Sequence, residues 1–99
     1  AVAADPESRV IVLGGSGNGA QIAANKVKGV RAGLAYNTVM ARLAREHNDA
    51  RIVALGGRMQ SLSDALAMVR VFLETPFSND PRHVRRLQLL DDYENQHCC

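Results

Sequence analysis

The stretch RVIVLGGSGNGAQ, residues 9–21, decides the fold class. Residues 9–13 form a short and nearly continuous apolar run, which is typical of a strand buried on both faces of a parallel sheet. Four glycines follow within six residues, and the segment 20–27 then predicts a helix. A strand that leads through a glycine-rich turn into a helix leaves backbone N–H groups unpaired beside a partial positive charge. The stretch therefore predicts a βα unit whose turn suits an anion.

The rest of the chain repeats this alternation of strand and helix. Strands are predicted at residues 31–36 and 51–55, and helices run from Asn37 or Thr38 to about residue 47 and from Ser61 to Pro76. Asn79 or Asp80 caps a last helix that has Pro81 in its first turn. Alternating strands and helices predict an α/β fold, a three-layer, Rossmann-like sandwich around a parallel sheet. Residues 1–8 are expected to form the end of a helix and a turn.

Three strands are few for a parallel sheet, because apolar strands at open edges invite pairing. We expect a missing N-terminal section or a partner chain to complete the sheet. The alternative is a small but complete flavodoxin-like domain. The domain prediction is a single, partial domain over residues 1–99 with a frayed tail at 95–99.

Composition excludes several classes of protein. The chain has 99 residues and a net charge of +2, too small to indicate a nucleic-acid or membrane partner. It has no apolar run of membrane-spanning length. Its two cysteines, Cys98 and Cys99, are adjacent and have no zinc-site spacing. These observations predict a cytoplasmic protein without a metal site.

The glycine loop, residues 14–20, has two interpretations, an anion cradle or a structural turn. Gly15, Gly17 and Ala20 loosely match a dinucleotide fingerprint. However, the next predicted strand ends in Ala35-Tyr36-Asn37, with no carboxylate for a ribose hydroxyl, and the loop lacks the lysine of a phosphate-binding P-loop.

The last helix carries its charges against its dipole. Basic residues crowd its start and acidic residues its end, although the dipole favours the reverse by roughly 0.3–1 kcal/mol per charge. Arg82 and Arg86 share a face at i and i+4. The pattern indicates either a phosphate site or a solvated face whose charges are paired elsewhere.

Four motifs carry a resemblance to a known family. GGSGNG-x-QIAANK, LAREHN, a strand ending in GGRM, and TPF…RHVRRL follow one another between about Arg9 and Glu94. In these motifs the chain resembles the type B ribose-5-phosphate isomerases, a family that includes the galactose-6-phosphate isomerase subunits. The resemblance implies aldose–ketose isomerisation of a sugar phosphate through an enediolate, with ribose 5-phosphate and ribulose 5-phosphate as the expected pair. It also implies no cofactor, a homodimer or higher oligomer with a shared active site, and an upstream strand–helix–strand section bearing an Asp-His pair.

The resemblance also implies roles for individual residues. Ser16 assists proton movement at the sugar oxygens, His47 helps to open the sugar ring, and Asn48 holds a sugar oxygen. Taken as a lone histidine near a helix end, His47 is better explained by an interaction with the dipole. The expected anion hole for the enediolate consists of Gly15, Gly17, Asn18, Gly19 and Ala20. The expected phosphate ligands are Arg58, Arg82, His83 and Arg86.

The sequence departs from the family at the base that removes the carbon-bound proton. The resemblance places this base at one of two positions, a cysteine where Gly14 stands or a glutamate where Ala20 stands. Neither residue present can accept a proton. We therefore expect impaired isomerase activity, with a phosphate- or nucleotide-binding module or a non-catalytic subunit as the alternatives.

Overall fold

The computed structural model describes residues 8–97 and contains one parallel sheet of three strands. The strands are β1 (Val10–Gly14), β2 (Ala32–Ala35) and β3 (Ile52–Gly56), in the order β1-β3-β2. All five residues of β3 are buried, whereas β1 is half-buried and its Leu13 is 68% exposed. Ile11 packs on one face of β1 and Val10 and Val12 pack on the other, so the predicted cover on both faces holds at these residues and fails at Leu13.

Four helices follow the predicted alternation. They are α1 (Asn18–Asn25), α2 (Thr38–Glu46), α3 (Leu62–Glu74) and α4 (Pro81–His97). Side-chain oxygens of Asn37, Ser61 and Asp80 accept hydrogen bonds from backbone N–H groups in the first turns of α2, α3 and α4. Such caps satisfy donors that have no partner within the helix, so the predicted helix starts are confirmed at these three residues.

The strand side chains alternate between two apolar cores. Val53 and Leu55 pack with Met68 and Phe72 on the face covered by α2 and α3. Ile52 packs with Val10 and Val12 on the other face, where α1 lies. Helices on both faces of a parallel sheet make three layers, which confirms the predicted α/β fold class.

The two edges of the sheet differ. At β2 the side-chain amide of Asn25 bonds both backbone groups of Ala32, donating to its carbonyl at 3.0 Å and accepting from its N–H at 2.8 Å. Gln21 also donates to this carbonyl. These amides occupy the place that another strand would take, so the β2 edge is blocked at this residue while no described residue pairs with the outer edge of β1.

Helix α4 lies at the amino ends of the strands. Arg31, which precedes β2, forms an ion pair of 2.9 Å with Asp91, and the carboxylate of Glu94 accepts from the N–H of Gly29. The apolar spacing of this helix predicts that Val84, Leu87, Leu90 and Tyr93 line a buried side, but only Leu87 is buried and the other three are exposed. Helix α4 extends to His97, so the tail predicted at 95–99 begins inside it. Cys98 and Cys99 lie outside the described residues, and so do residues 1–7, for which the end of a helix and a turn were predicted.

Candidate functional site

The glycine loop sits on the carboxyl end of the central strand. Gly17 caps α1 with a φ of 88°, and a Cβ there would stand 2.7 Å from the Leu34 side chain. A Cβ on Gly56 would stand 2.7 Å from the backbone oxygen of Ser16. The close approach of loop and strand therefore depends on glycine at both positions.

Three successive carbonyl groups of the loop accept hydrogen bonds from the end of the sheet. The carbonyl of Gly14 accepts from the N–H of Gly57 at 2.7 Å, and that of Gly15 accepts from the N–H of Arg58 at 3.1 Å. The carbonyl of Ser16 accepts from the hydroxyl of Tyr36 at 2.6 Å. Because the C=O and N–H of a trans peptide point in opposite directions, the N–H groups of Gly15, Ser16 and Gly17 are directed away from these donors.

These three amides have no partner among the described residues; Gly15 and Ser16 are exposed, and Gly17 is buried. Within residues 8–97 the N–H groups of Gly15, Ser16 and Gly17 donate no hydrogen bond. The guanidinium of Arg58 lies beside them, with its Nε and Cζ 3.7 Å from the place where a Cβ on Gly15 would stand. Unpaired amides next to an exposed arginine form a positive surface that suits an oxyanion or a phosphate.

The remaining predicted loop residues line the same surface. Ser16, Asn18 and Gly19 are exposed, and the hydroxyl of Ser16 accepts from the N–H of Asn18 at 3.3 Å. A Cβ on Gly14 would stand 3.6 Å from both the Cβ of Ala20 and the backbone nitrogen of Gly17. The two positions at which the resemblance places a base thus converge on one point beside the Gly17 amide.

A second group of predicted residues lies elsewhere, at the amino ends of the strands. The rings of His47, at the end of α2, and His83, in α4, are in contact with centroids 4.2 Å apart. His83 is buried, and its Nδ1 lies 2.9 Å from the hydroxyl of Ser78, whose N–H donates to the carbonyl of Glu46. The segment that leads into α4 is therefore fixed to the end of α2.

The predicted arginines of α4 are exposed beside these rings. Arg82 pairs with Asp80 at 3.3 Å, and hydrogen bonds from its backbone N–H and side chain hold the pKa of that carboxyl below its usual value. The guanidinium of Arg86 has neither a hydrogen bond nor an ion pair with any residue from 8 to 97. Asn48, which follows His47, lines a cavity of ≈ 310 Å³ with Arg31 and Asn25. We call His47, Asn48, Arg82, His83 and Arg86 the amino-end cluster.

One chain does not bring the two groups together. Helix α2 starts at the carboxyl end of β2 and returns to the amino end of the parallel strand β3, so His47 and Asn48 lie at the other end of the strands from the glycine loop. At about 3.3 Å per residue, a five-residue strand separates the groups by roughly 15 Å. The loop and Arg58 form one surface, and the amino-end cluster forms another.

Two residues near the loop were not predicted from the sequence. Tyr36 directly follows β2 and bonds Ser16 across the end of β3. The side-chain amide of Gln60 is buried without a partner among the described residues, in a cleft of ≈ 260 Å³ that Leu13, Leu55 and Leu62 also line. Tyr36 ends a predicted strand, which is a position that could have drawn attention, whereas nothing in the sequence marks Gln60.

Two further properties follow from the described part of the chain. No group of three acidic, histidine or cysteine side chains there is arranged to hold a metal ion. None of its helices combines the length and the apolar character needed to cross a membrane.

Comparison with known proteins agrees with this architecture. The sequence model of the Ribose/Galactose Isomerase family matches residues 1–90. The chain belongs to the ribose/galactose isomerase family. It is 56% identical over 94 residues to ribose-5-phosphate isomerase B of Mycolicibacterium paratuberculosis, covering 95% of this chain and 59% of that protein. The corresponding protein of Mycobacterium tuberculosis is 55% identical over the same length.

Solved structures of the family share the fold. Type B ribose 5-phosphate isomerase from Trypanosoma cruzi superposes with a TM-score of 0.93 at 42% identity, covering 97% of this chain and 64% of that one. Ribose-5-phosphate isomerase B from Clostridium thermocellum gives a TM-score of 0.86 at 45% identity, covering 90% and 60%. The chain described here thus spans about three fifths of the length of these relatives.

Proposed function

We propose that this chain is part of a sugar-phosphate isomerase that interconverts ribose 5-phosphate and ribulose 5-phosphate through an enediolate. The observation that carries the proposal is the glycine loop, in which three unpaired amides lie beside Arg58. Relatives named ribose-5-phosphate isomerase B support the choice of sugar phosphate.

The loop suits the chemistry of this reaction. Moving a proton between adjacent carbons places transient negative charge on the sugar oxygens. Fixed N–H donors aimed at such charge contribute about 3–4 kcal/mol each to stabilising the transition state. Because the three carbonyls are already bonded to the end of the sheet, their amides need no rearrangement when the charge develops.

We further propose that the complete site forms between two copies of the chain. The amino-end cluster lies about one strand length from its own loop, too far for both to contact one pentose phosphate. A second copy placed against the carboxyl ends of the strands would present its amino-end cluster to this loop. His47 and Asn48 would then meet the sugar, and Arg82, His83 and Arg86 would join Arg58 around the phosphate.

The open edge of β1 suits the upstream section that the resemblance implies. Leu13 is exposed there, and the cleft beside it holds the unpartnered amide of Gln60. A strand paired with β1 would cover this leucine, and its carboxyl end would reach the cleft. Such a section would carry the implied Asp-His pair to the edge of the glycine loop.

A second candidate function is sugar-phosphate binding without turnover. It is favoured by Gly14 and Ala20, since neither side chain can remove a proton and both stand where the resemblance places the base. A positioned proton acceptor typically accelerates such a step by about 10²–10⁴-fold.

The test is to restore the base in the full gene product. Ala20→Glu places a carboxylate beside the Gly17 amide, and Ala20→Gln places an amide of the same shape there as the matched control. We expect Ala20→Glu to raise ribose 5-phosphate turnover by about 10²–10⁴-fold and Ala20→Gln to leave it unchanged. Turnover that stays at the buffer rate in both variants, with ribose 5-phosphate binding intact by calorimetry, would contradict the isomerase proposal and favour the binding function.

A further inference from the structure

Tyr36 is the only side chain among the three groups that hold the loop carbonyls. The other two donors are the backbone N–H groups of Gly57 and Arg58. Tyr36 comes from the end of β2, two strands from β1, and its hydroxyl reaches the carbonyl of Ser16 at 2.6 Å. This contact joins residues twenty positions apart across the end of the central strand.

The contact fixes one particular peptide group. The carbonyl of Ser16 and the N–H of Gly17 belong to the same planar unit, so a donor that holds the oxygen also sets the direction of the N–H. Hydrogen bonding at the carbonyl also polarises the peptide and strengthens its N–H as a donor. Tyr36 thereby affects both the aim and the strength of the Gly17 amide.

The Gly17 amide lies where the reaction needs a donor. Its nitrogen stands 3.6 Å from the Cβ position of Gly14, which is itself 3.6 Å from the Cβ of Ala20. An N–H at this point adjoins the place where the carbon-bound proton would be removed. In the proposed reaction, negative charge develops on the sugar oxygen next to that carbon, so an N–H here would lie near this oxygen.

We propose that Tyr36 is a positioning residue that orients the Ser16–Gly17 peptide as the central donor of the anion hole. The inference rests on the proposed isomerase function and adds to it a residue outside the glycine loop. Tyr36 touches the loop and acts on the reacting atoms only through the peptide that it holds. Its removal should weaken stabilisation of the transition state more than binding of the substrate.

The test compares Tyr36→Phe with Tyr93→Phe in the full gene product carrying Ala20→Glu. Each variant removes one of the two tyrosine hydroxyls of the chain, and Tyr93 lies in α4, at the amino ends of the strands of its own chain. Removing a whole oxyanion donor lowers kcat by about 10²–10³-fold. Tyr36→Phe keeps the Gly17 donor but releases its orientation, so we expect it to lower kcat by about tenfold. KM should change by less than about twofold, as uniform binding is retained. Tyr93→Phe should match its parent in both constants.

An unchanged kcat in Tyr36→Phe, a rise in KM alone, or an equal loss in Tyr93→Phe would overturn the inference. A second readout separates it from the isomerase proposal. The amide proton resonance of Gly17 should move upfield in Tyr36→Phe and stay in place in Tyr93→Phe, because its peptide loses a polarising bond. If the parent shows no turnover, the isomerase proposal fails, and a Gly17 resonance that does not move would refute the role of Tyr36 independently of activity.

Discussion

The glycine loop and the amino-end cluster differ in the groups that form them, which are backbone groups in the loop and side chains in the cluster. The loop is made of backbone, it is held by hydrogen bonds to the end of the sheet, and it depends on the absence of side chains at Gly17 and Gly56. The amino-end cluster is made of side chains: the buried ring of His83 touches the ring of His47, and Arg82 and Arg86 are exposed. The loop is nearly complete within one chain, whereas the cluster presents its charges outward, toward whatever completes it.

The largest expected effect concerns what holds the amino-end cluster in place. Arg45 is 2% exposed and donates to the carbonyls of Thr75 and Ala50 and to the carboxylate of Asp49. Arg45→Met keeps the packing but leaves these acceptors without their donor. We expect the free energy of unfolding to fall by about 3 kcal/mol in urea titrations at fixed protein concentration.

The same helix offers the matched control. Arg42 also forms an i,i+4 ion pair, with Glu46 at 3.0 Å, but it is exposed. Arg42→Met should cost at most about 0.5 kcal/mol. Equal losses in the two variants would mean that the buried arginine is not what fixes this end of the molecule.

A smaller loss of stability is expected at the loop, where the substitution adds an atom instead of removing a contact. The Cβ of Gly56→Ala would stand 2.7 Å from the backbone oxygen of Ser16, which cannot rotate away as a side chain could. We expect a loss of about 1–3 kcal/mol in the free energy of unfolding and weaker binding of ribose 5-phosphate in calorimetry.

Gly19→Ala is the control at the loop. A Cβ at Gly19 meets nothing within 4 Å, and the residue lies in the first turn of α1. Alanine there should be neutral or stabilising by up to about 1 kcal/mol. If Gly56→Ala is as harmless as Gly19→Ala, the loop does not need the close approach that the structure gives it.

The fold class was predictable because it depends on local sequence. The apolar runs before Gly14 and Gly56, and the capping residues Asn37 and Ser61, indicate strands and helix starts without knowledge of their partners. The central place of β3 was not predictable in this way, because both runs suit a buried strand and only long-range pairing distinguishes them. The bond from Tyr36 to Ser16 was missed for the same reason.

The separation of the two groups could have been deduced from topology. His47 ends a helix that follows a strand, and a helix between parallel strands must return to their amino ends. His47, at the end of such a helix, therefore lies at the amino ends of the strands, whereas Ser16 lies at their carboxyl ends. The resemblance implies that both groups belong to one active site shared between subunits. Within one chain, they lie at opposite ends of the strands.

The proposal that the site is shared between two copies is tested most directly by subunit complementation. One variant, Ser16→Ala with Arg58→Ala, disables the loop surface, and the other, Arg82→Ala with Arg86→Ala, disables the amino-end cluster. All four residues are exposed, so both variants should fold. Each should be inactive alone in the full gene product carrying Ala20→Glu.

When the two variants are co-expressed equally, half of the dimers are mixed, and each mixed dimer has one intact site of two. We predict recovery of about one quarter of the parent activity. If the co-expressed variants stay as inactive as either one alone, the site is not shared between copies and the account is contradicted.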